Sequence, residues 1–354
     1  MTIAALRTLA LRAELPRPWG PDAPANHVIA CELTLTDGRV GTGFSWTPRV
    51  GAAAVKALLD TEIAAAVRGL PAHPELVWDH LWRLLREAGD GGVTTIALAA
   101  VDIALWDLRA TAAGLGLADL LGRRRATVPV YGSGVNRHYT LPELVAQAHR
   151  WAGYPAVKIK VGRDDLAEDL ARVAAVREVI GPDTLLMVDA NQRWDLPRAL
   201  RAIAALAPYN PHWVEEPLPA DDISAHASLR ARTSVPIAVG ESVYTVYGFR
   251  DLLAAGACDI VQPNVVRVGG ITPFLRIAEL ARAYSVPTFP HLLPELSGQL
   301  AAALPLPAMV EDVEDASLEA LGLLAGPSPV ELGPELKIRD HLGHGIRFHG
   351  WESR

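Results

Sequence analysis

Polar side chains recur where short apolar segments end, beginning at residue 158. They are separated by about one strand, one helix and the connecting loops, and they are Lys158, Lys160, Asp189, Glu215, Glu241, Asn264, His291 and Glu311. If the segments are parallel strands of one barrel, their C-terminal ends meet at one mouth, where catalytic residues gather. A single acid at a strand end is more often a helix N-cap, so the prediction depends on the joint pattern. That pattern predicts that these side chains face one another across a single pocket.

The two lysines lie in one short segment. Residues 156–161 read Ala-Val-Lys-Ile-Lys-Val and are predicted to form a strand. Because side chains alternate faces along a strand, Lys158 and Lys160 should project to the same side. Lys158 and a metal ion at the same mouth would both disfavour a positive charge on Lys160 and so lower its pKa. A shift of roughly 2–3 units would let a lysine act as a base near neutral pH. The alternative is that both lysines only pair with the facing acids.

Asp189, Glu215 and Glu241 come from three successive predicted strands. Carboxylates at one mouth would repel one another unless a cation neutralised them. Oxygen ligands suit a hard ion, and the missing cysteine and the single nearby histidine argue against zinc. We therefore predict a Mg²⁺ site. The alternative is that these acids form structural ion pairs with the two lysines and Arg267.

Short apolar segments alternate with Ala/Leu/Arg-rich helical patterns from about Thr127. The predicted strands cover residues 128–131, 156–161, 185–188, 213–214, 237–239, 259–262, 286–289 and 309–311. Strands separated by helices imply parallel βαβ units, and eight in sequence favour a closed barrel over an open sheet.

The chain before this region is predicted to be α+β. Residues 28–36 and 41–46 have the pattern of paired strands around the Asp37-Gly38 turn, and residues 94–113 have the pattern of a helix. We expect an α+β capping domain over residues 1–125, a barrel over 126–323, and a Gly/Pro-rich tail over about 324–354 that folds back onto the cap.

Composition excludes several classes of protein. The chain has 354 residues, of which 50% are hydrophobic and 21% charged, and its formal net charge is −7. The negative charge argues against nucleic-acid binding. The sequence has no uninterrupted apolar run of about 18 residues, so we expect no membrane span. Cys31 and Cys258 match no zinc or redox spacing, and the N-terminus has no secretory-signal pattern. We expect a cytoplasmic protein.

The ordered motifs resemble those of the enolase superfamily and, within it, the mandelate racemase subgroup. The motifs are Lys158-Ile-Lys160, Met187-Val-Asp-Ala-Asn-Gln-Arg-Trp194, Trp213-Val-Glu-Glu-Pro217, Val239-Gly-Glu241, Gln262-Pro-Asn-Val-Val-Arg-Val-Gly-Gly-Ile-Thr272 and His291-Leu-Leu-Pro-Glu295. Residues 100–107 also resemble the family's capping-domain helix. The likeness covers nearly the whole chain, and the acid-sugar dehydratases of the galactarate/talarate type are the most similar group.

The resemblance implies an α/β fold, a (β/α)7β modified TIM barrel with an N-terminal α+β capping domain. It also implies one Mg²⁺ per subunit, on Asp189, Glu215 and Glu241, with a carboxylate substrate chelating the metal. The shared step is removal of the proton α to that carboxylate, which gives an enediolate and needs a neutral base and concentrated positive charge.

The family pattern also implies roles for single residues. Lys160 matches the base on one face of the substrate, and Lys158 should contact the substrate carboxylate. His291 matches the second acid/base on the opposite side, although a lone histidine is more often a packing or capping residue. Glu311 matches an acid that hydrogen-bonds the substrate carboxylate, and Asn191 should support the metal ligands or a substrate hydroxyl. Alternation points Glu216 away, so we do not expect it to be a ligand.

Asn264 departs from the family pattern. Relatives of mandelate racemase carry Asp at this position, paired with the histidine, and other branches carry a lysine base. We expect Asn264 to accept a hydrogen bond from the imidazole and fix its tautomer. Because Asn cannot stabilise imidazolium by charge, His291 should be a weaker base than in the usual dyad. This favours dehydration, with Lys160 as base and His291 as general acid, over racemisation, which needs a base on both faces.

Two Gly/Pro-rich loops of the cap are candidates for substrate specificity. Residues 17–22 carry Trp19, and residues 45–51 carry Trp46 and Arg49. The family closes such loops over the substrate, and the alternative is that both are ordinary surface turns.

We therefore predict a Mg²⁺-dependent lyase that dehydrates an aldonate or aldarate in carbohydrate acid catabolism. One alternative is a racemase or epimerase of an α-substituted carboxylate. A second is a non-catalytic binding protein on the same fold. The expected partner is a small carboxylate, with no nucleic acid or membrane, and we expect a homo-oligomer.

Overall fold

A computed structural model describes residues 1–20 and 23–351. It begins with an antiparallel sheet in the order β1-β2-β3, formed by β1 (Ile3–Glu14), β2 (Ala25–Leu35) and β3 (Val40–Thr47). β2 and β3 extend the two strands predicted at 28–36 and 41–46. β1 was not predicted from the sequence, although its exposed and buried residues partly alternate.

The described residues of the N-terminal part also form helices. They are α1 (Ala52–Leu58), α2 (Ala64–Val67), α3 (Pro74–Leu85), α4 (Val93–Ala112) and α5 (Leu117–Leu120), with a π-helical turn over Leu59–Ile63 and a 3-10 turn over Arg86–Ala88. Helix α4 is the helix predicted at 94–113, and it is buried along most of its length.

Helix α4 packs very closely on β3, and this packing requires glycine. A Cβ on Gly43 would lie 2.0 Å from the Ala100 carbonyl oxygen. We expect Gly43→Ala to lower the free energy of unfolding by about 1–3 kcal/mol, because the helix must shift away from the sheet. Thermal or denaturant unfolding measures this change. Gly326→Ala is the matched control, since nothing lies within 4 Å of its added Cβ. Equal stability of the two variants would contradict the close packing.

The rest of the chain is a barrel of parallel strands surrounded by helices. Its strands are β4 (Thr127–Ser133), β5 (Ala156–Lys160), β6 (Leu185–Asp189), β7 (Pro211–Glu215), β8 (Ile237–Val239), β9 (Ile260–Val261) and β10 (Val310–Val313). Its helices are α6 (Leu141–Arg150), α7 (Leu166–Ile180), α8 (Leu196–Leu206), α9 (Ile223–Arg230), α10 (Val246–Ala254), α11 (Ile271–Ala283) and α12 (Pro294–Ala303), and a 3-10 turn covers Ala207–Tyr209. β4 to β9 pair in chain order and β10 returns to pair with β4, as the predicted (β/α)7β barrel requires.

The strand predicted at residues 286–289 is wrong in extent. Residues 286–289 form a single bridge, between Thr288 and Val261, in place of a strand. Pro287 and Pro290 flank this bridge and have no backbone N–H to donate, which prevents a regular ladder. The bridge still occupies the strand position between β9 and β10.

The tail contacts both the barrel and the cap. β11 (Val330–Glu331) and β12 (Glu335–Ile338) form a hairpin, and β12 pairs antiparallel with the start of β4. The chain then returns to the cap, where Leu117 N donates to Gly343 O at 2.6 Å. The domain boundaries at 125/126 and 323/324 stay predictions, and residues 352–354 of the predicted tail lie outside the described residues.

Large side chains fill the barrel below its mouth. Tyr131, Trp213 and Phe289 pack edge to face, with ring centres 5.8 and 5.2 Å apart along the series. These three side chains fill the interior of the barrel beneath the C-terminal ends of the strands. Among the helices of the described residues, none combines the length and the apolar character needed to cross a membrane.

Candidate active site

Strand β5 brings Lys158 and Lys160 to the inner face of the barrel, and their surroundings differ. Lys158 is 1% exposed, and its Nζ lies 2.9 Å from both carboxylate oxygens of Glu215 and 2.7 Å from Glu311 Oε1. Lys160 contacts Asp189 and reaches the cavity above. Lys158 is therefore held by acids beneath the site, whereas Lys160 is accessible to a bound molecule.

The charges around the lysines outweigh their burial. Burial lowers the pKa of Lys160, and so does Lys158, but the Asp189 carboxylate in contact with it raises the net pKa. The predicted lowering counted on a metal ion as well as on Lys158, so it stays a prediction. Burial also lowers the pKa of Lys158, yet Glu215 and Glu311 raise it well above the ordinary value.

The three predicted metal ligands come together at the ends of β6, β7 and β8. Asp189, Glu215 and Glu241 each offer one oxygen, and these oxygens lie within 4.8 Å of one another. Burial raises the pKa of Glu215 to about 8, with Asp189 adding to the shift and Lys158 opposing it. A bound cation would stabilise the anionic form of these carboxylates. Its all-oxygen donor set fits a hard divalent ion such as Mg²⁺.

Neighbouring residues hold two of the three carboxylates by hydrogen bonds. Asn191 donates its backbone N–H to Asp189 Oδ1 at 2.7 Å. Gln262 Nε2 donates to Glu215 Oε2 at 2.8 Å, and Trp213 Nε1 lies 3.3 Å from the same oxygen. Gln262 was not predicted as a site residue, although it precedes Asn264 by two residues and strand alternation places both on one face.

His291 also lines the cavity and follows the bridge at Thr288 by three residues. Its Nε2 is 2.7 Å from Glu241 Oε2 and 3.7 Å from Glu311 Oε2. Arg267 also holds Glu241, because its Nη1 donates to the Glu241 carbonyl oxygen at 2.8 Å. Burial raises the pKa of Glu241, but His291 and Arg267 outweigh burial and hold it well below the usual range.

Asn264 contacts His291 in the opposite sense to the prediction. Its Oδ1 accepts hydrogen bonds from the backbone N–H groups of Val266 and Arg267, at 3.0 and 3.1 Å. These two donors fix the amide orientation, so Nδ2 faces His291 Nδ1 at 3.0 Å. Asn264 therefore donates to the imidazole instead of accepting from it. This contact favours the tautomer with the proton on Nε2, the nitrogen that faces Glu241.

Left-handed backbone follows several of the strand ends. Asn191 has φ 43°, Glu216 has φ 38° and Leu292 has φ 56°. These residues lie directly after or near the site side chains, and strained backbone of this kind clusters at functional sites. Glu216 accepts from Gln192 Nε2 at 2.7 Å, and among the described residues it is not part of the carboxylate cluster.

A cavity of about 170 Å³ opens above these groups. The cap contributes Trp19, Trp46 and Pro48 to it, and the barrel residues that line it are Ser133, Val135, Lys160, Asn191, Glu241, Arg267, His291, Leu292, Glu311 and Val313. The eight predicted side chains thus form two layers and do not all face the pocket. The residues beneath the lining are Lys158, Asp189, Glu215 and Asn264.

Both cap tryptophans line the cavity. Trp19 packs edge to face on Trp46, with ring centres 6.3 Å apart, and the Arg267 guanidinium lies 5.9 Å from the Trp46 ring centre. Trp46 belongs to β3 and not to a loop. Arg49 is exposed and is not among the described residues that line the cavity. Residues 21 and 22 of the first predicted loop lie outside the described residues.

Known proteins match both parts of the chain. A family model for the mandelate racemase / muconate lactonizing enzyme N-terminal domain matches residues 23–122, and one for the enolase C-terminal domain-like family matches residues 141–353. The chain is 37% identical to the 3,6-anhydro-alpha-L-galactonate cycloisomerase of Streptomyces coelicolor, over 90% of this chain and 88% of that protein. It is 39% identical to the L-talarate/galactarate dehydratase of Salmonella typhimurium, over 81% of this chain and 73% of that protein.

A solved structure extends this similarity to three dimensions. The L-talarate dehydratase of Polaromonas sp. JS666, complexed with Mg and L-glucarate, superposes with a TM-score of 0.88 at 36% identity. The match covers 99% of this chain and 95% of that chain.

Proposed function

Because the chain belongs to the mandelate racemase/muconate lactonizing enzyme family of the enolase superfamily, we propose that it is a Mg²⁺-dependent acid-sugar dehydratase. It removes the proton α to a carboxylate, and the hydroxyl on the adjacent carbon leaves. The observation that carries this proposal is that Lys160 and His291 line one cavity, beside three clustered carboxylates.

Asp189, Glu215 and Glu241 would hold the metal. When bound, Mg²⁺ supplies fixed positive charge beside the substrate carboxylate, where negative charge develops as the proton leaves. The talarate dehydratase of Polaromonas, complexed with Mg and a sugar diacid, supports this assignment.

Lys160 is the proposed base. The carboxylate that raises its pKa is one of the proposed ligands, so a cation there would offset that effect. Burial and Lys158 then both act to lower the pKa of Lys160, as a base near neutral pH requires. Lys158 is fully buried between Glu215 and Glu311, which suits a fixed charge better than a group that exchanges protons.

His291 is the proposed hydrogen-bond donor to the departing hydroxyl. The hydroxide that leaves and the proton that Lys160 takes up together make up the water that is released. Asn264 donates to Nδ1, so His291 presents a proton at Nε2 and no lone pair. A base on this face would need an unprotonated Nε2. The Asn264 contact therefore supports elimination over two-base racemisation, and neutral imidazole is a known hydrogen-bond donor in catalysis. Glu311, whose pKa Lys158 lowers to about 2 against the effect of burial, stays anionic beside this group.

A panel of aldonates and aldarates, assayed for keto-acid formation, tests the function. We expect at least one member to react with Mg²⁺, and we expect EDTA to abolish that reaction and added Mg²⁺ to restore it. α-Proton exchange without keto acid would establish a racemase or epimerase instead. Binding of an acid sugar without exchange or product would establish a non-catalytic binding protein.

A further inference from the structure

One loop of the cap carries Trp19 to the edge of the cavity. Leu15 N donates to Pro24 O at 2.9 Å and closes the base of this loop, and Trp19 N donates to Ala23 O at 3.0 Å within it. Trp19 then packs on Trp46. We call this loop, residues 15–20 and 23–24 of the described chain, the tryptophan loop.

Arg17 joins the tryptophan loop to the barrel. Its guanidinium carbon lies 3.4 Å from the centre of the Tyr139 ring, and its Nη2 lies 3.0 Å from Glu143 Oε1. Both partners belong to the segment after β4 and not to the cap. A cation stacked on an aromatic face and paired with an acid holds the loop through one side chain.

The partner of Arg17 is rigidly held. Tyr139 is 5% exposed, its hydroxyl donates to Glu314 Oε2 at 3.1 Å, and its carbonyl accepts from Arg172 Nη1 at 2.8 Å. Asn136, three residues earlier, accepts a hydrogen bond from the backbone N–H of Lys160 at 2.9 Å. The same short segment therefore contacts both Arg17 and the strand that carries Lys160.

Two prolines restrict the backbone between Arg17 and Trp19. Pro16 and Pro18 flank Arg17 in the sequence. A proline fixes its own φ and restricts the residue before it to extended conformations. Because the backbone between them is stiff, contacts that hold the Arg17 side chain also restrict the position of Trp19.

We infer that Arg17 is a positioning residue that clamps the tryptophan loop onto the barrel and sets Trp19 over the substrate of Lys160. This rests on the proposed function, because the substrate is taken to be an acid sugar. The clamp lowers the cost of ordering the loop when the substrate binds, so its loss should raise KM more than it lowers kcat.

Arg17→Gln tests the clamp with two readouts. We expect hydrogen exchange in the tryptophan loop to increase, and KM to rise roughly fivefold to thirtyfold with kcat changed far less. Arg12→Gln is the matched control, since it removes an arginine that pairs on the surface of β1 with Glu14. It should leave both readouts at the wild-type values.

Further variants separate the two contacts of Arg17. Tyr139→Leu removes the aromatic face, Glu143→Gln removes the ion pair, and each should raise KM less than Arg17→Gln does. Unchanged exchange in Arg17→Gln would overturn the clamp. Increased exchange with an unchanged KM would overturn the positioning of Trp19.

The exchange readout needs no substrate, so the two proposals fail separately. If no acid sugar reacts but Arg17→Gln loosens the loop, the clamp stands and the proposed function fails. If acid sugars react and the variant alters neither readout, the function stands and the inference fails.

Discussion

Replacement of Lys160 by alanine should lower kcat about 10²- to 10⁴-fold, because a positioned base contributes rate acceleration of this order. Lys160 lines the cavity, and the other lysine of β5 is enclosed by Glu215 and Glu311 and cannot take its place. Keto-acid formation under saturating substrate and Mg²⁺ measures the loss.

Controls distinguish loss of the base from damage to the site. Small primary amines should partly restore Lys160→Ala, since the truncated side chain leaves space for them. Lys337→Ala removes an exposed lysine on β12 and should have wild-type activity. If Lys160→Ala retains more than about a tenth of the activity, Lys160 is not the base.

Replacement of Asn264 by aspartate should change which reaction occurs. The two backbone donors from residues 266 and 267 remain available to one carboxylate oxygen, and the other then faces His291 Nδ1. A carboxylate there accepts from Nδ1–H and stabilises imidazolium, which frees Nε2 to take up a proton. The effect of Asp against Asn beside a catalytic histidine is large, about 10⁴-fold in a serine protease.

We therefore expect exchange of the α-proton of recovered substrate to rise at least about tenfold in Asn264→Asp. ¹H NMR in D₂O measures this exchange, and Asn264→Ala is the matched variant, because it removes the amide without adding charge. Equal exchange rates in Asn264→Asp and Asn264→Ala would show that charge at this position does not control His291.

Much of the site could be predicted from the sequence because the barrel repeats. Each strand end is separated from the next by one helix, so the spacing of Asp189, Glu215 and Glu241 along the chain assigns them to one mouth. The (β/α)7β fold, the capping domain and the enzyme family follow from the same ordered motifs, and they are confirmed.

The predictions that were wrong concern features that depend on contacts outside the repeating strand pattern. The orientation of Asn264 depends on the backbone N–H groups of the next loop, which no spacing rule specifies. The irregular segment at Thr288 depends on its flanking prolines. The clamp through Arg17 joins residues more than 100 positions apart, which periodicity along the chain does not detect.

The most direct test of the account follows the α-hydrogen of a reactive acid sugar by ¹H NMR in D₂O. With wild-type protein and Mg²⁺, we predict loss of substrate to keto acid while recovered substrate keeps its configuration. EDTA or Lys160→Ala should stop this conversion. Keto-acid formation that continues unchanged with EDTA or with Lys160→Ala would contradict the account.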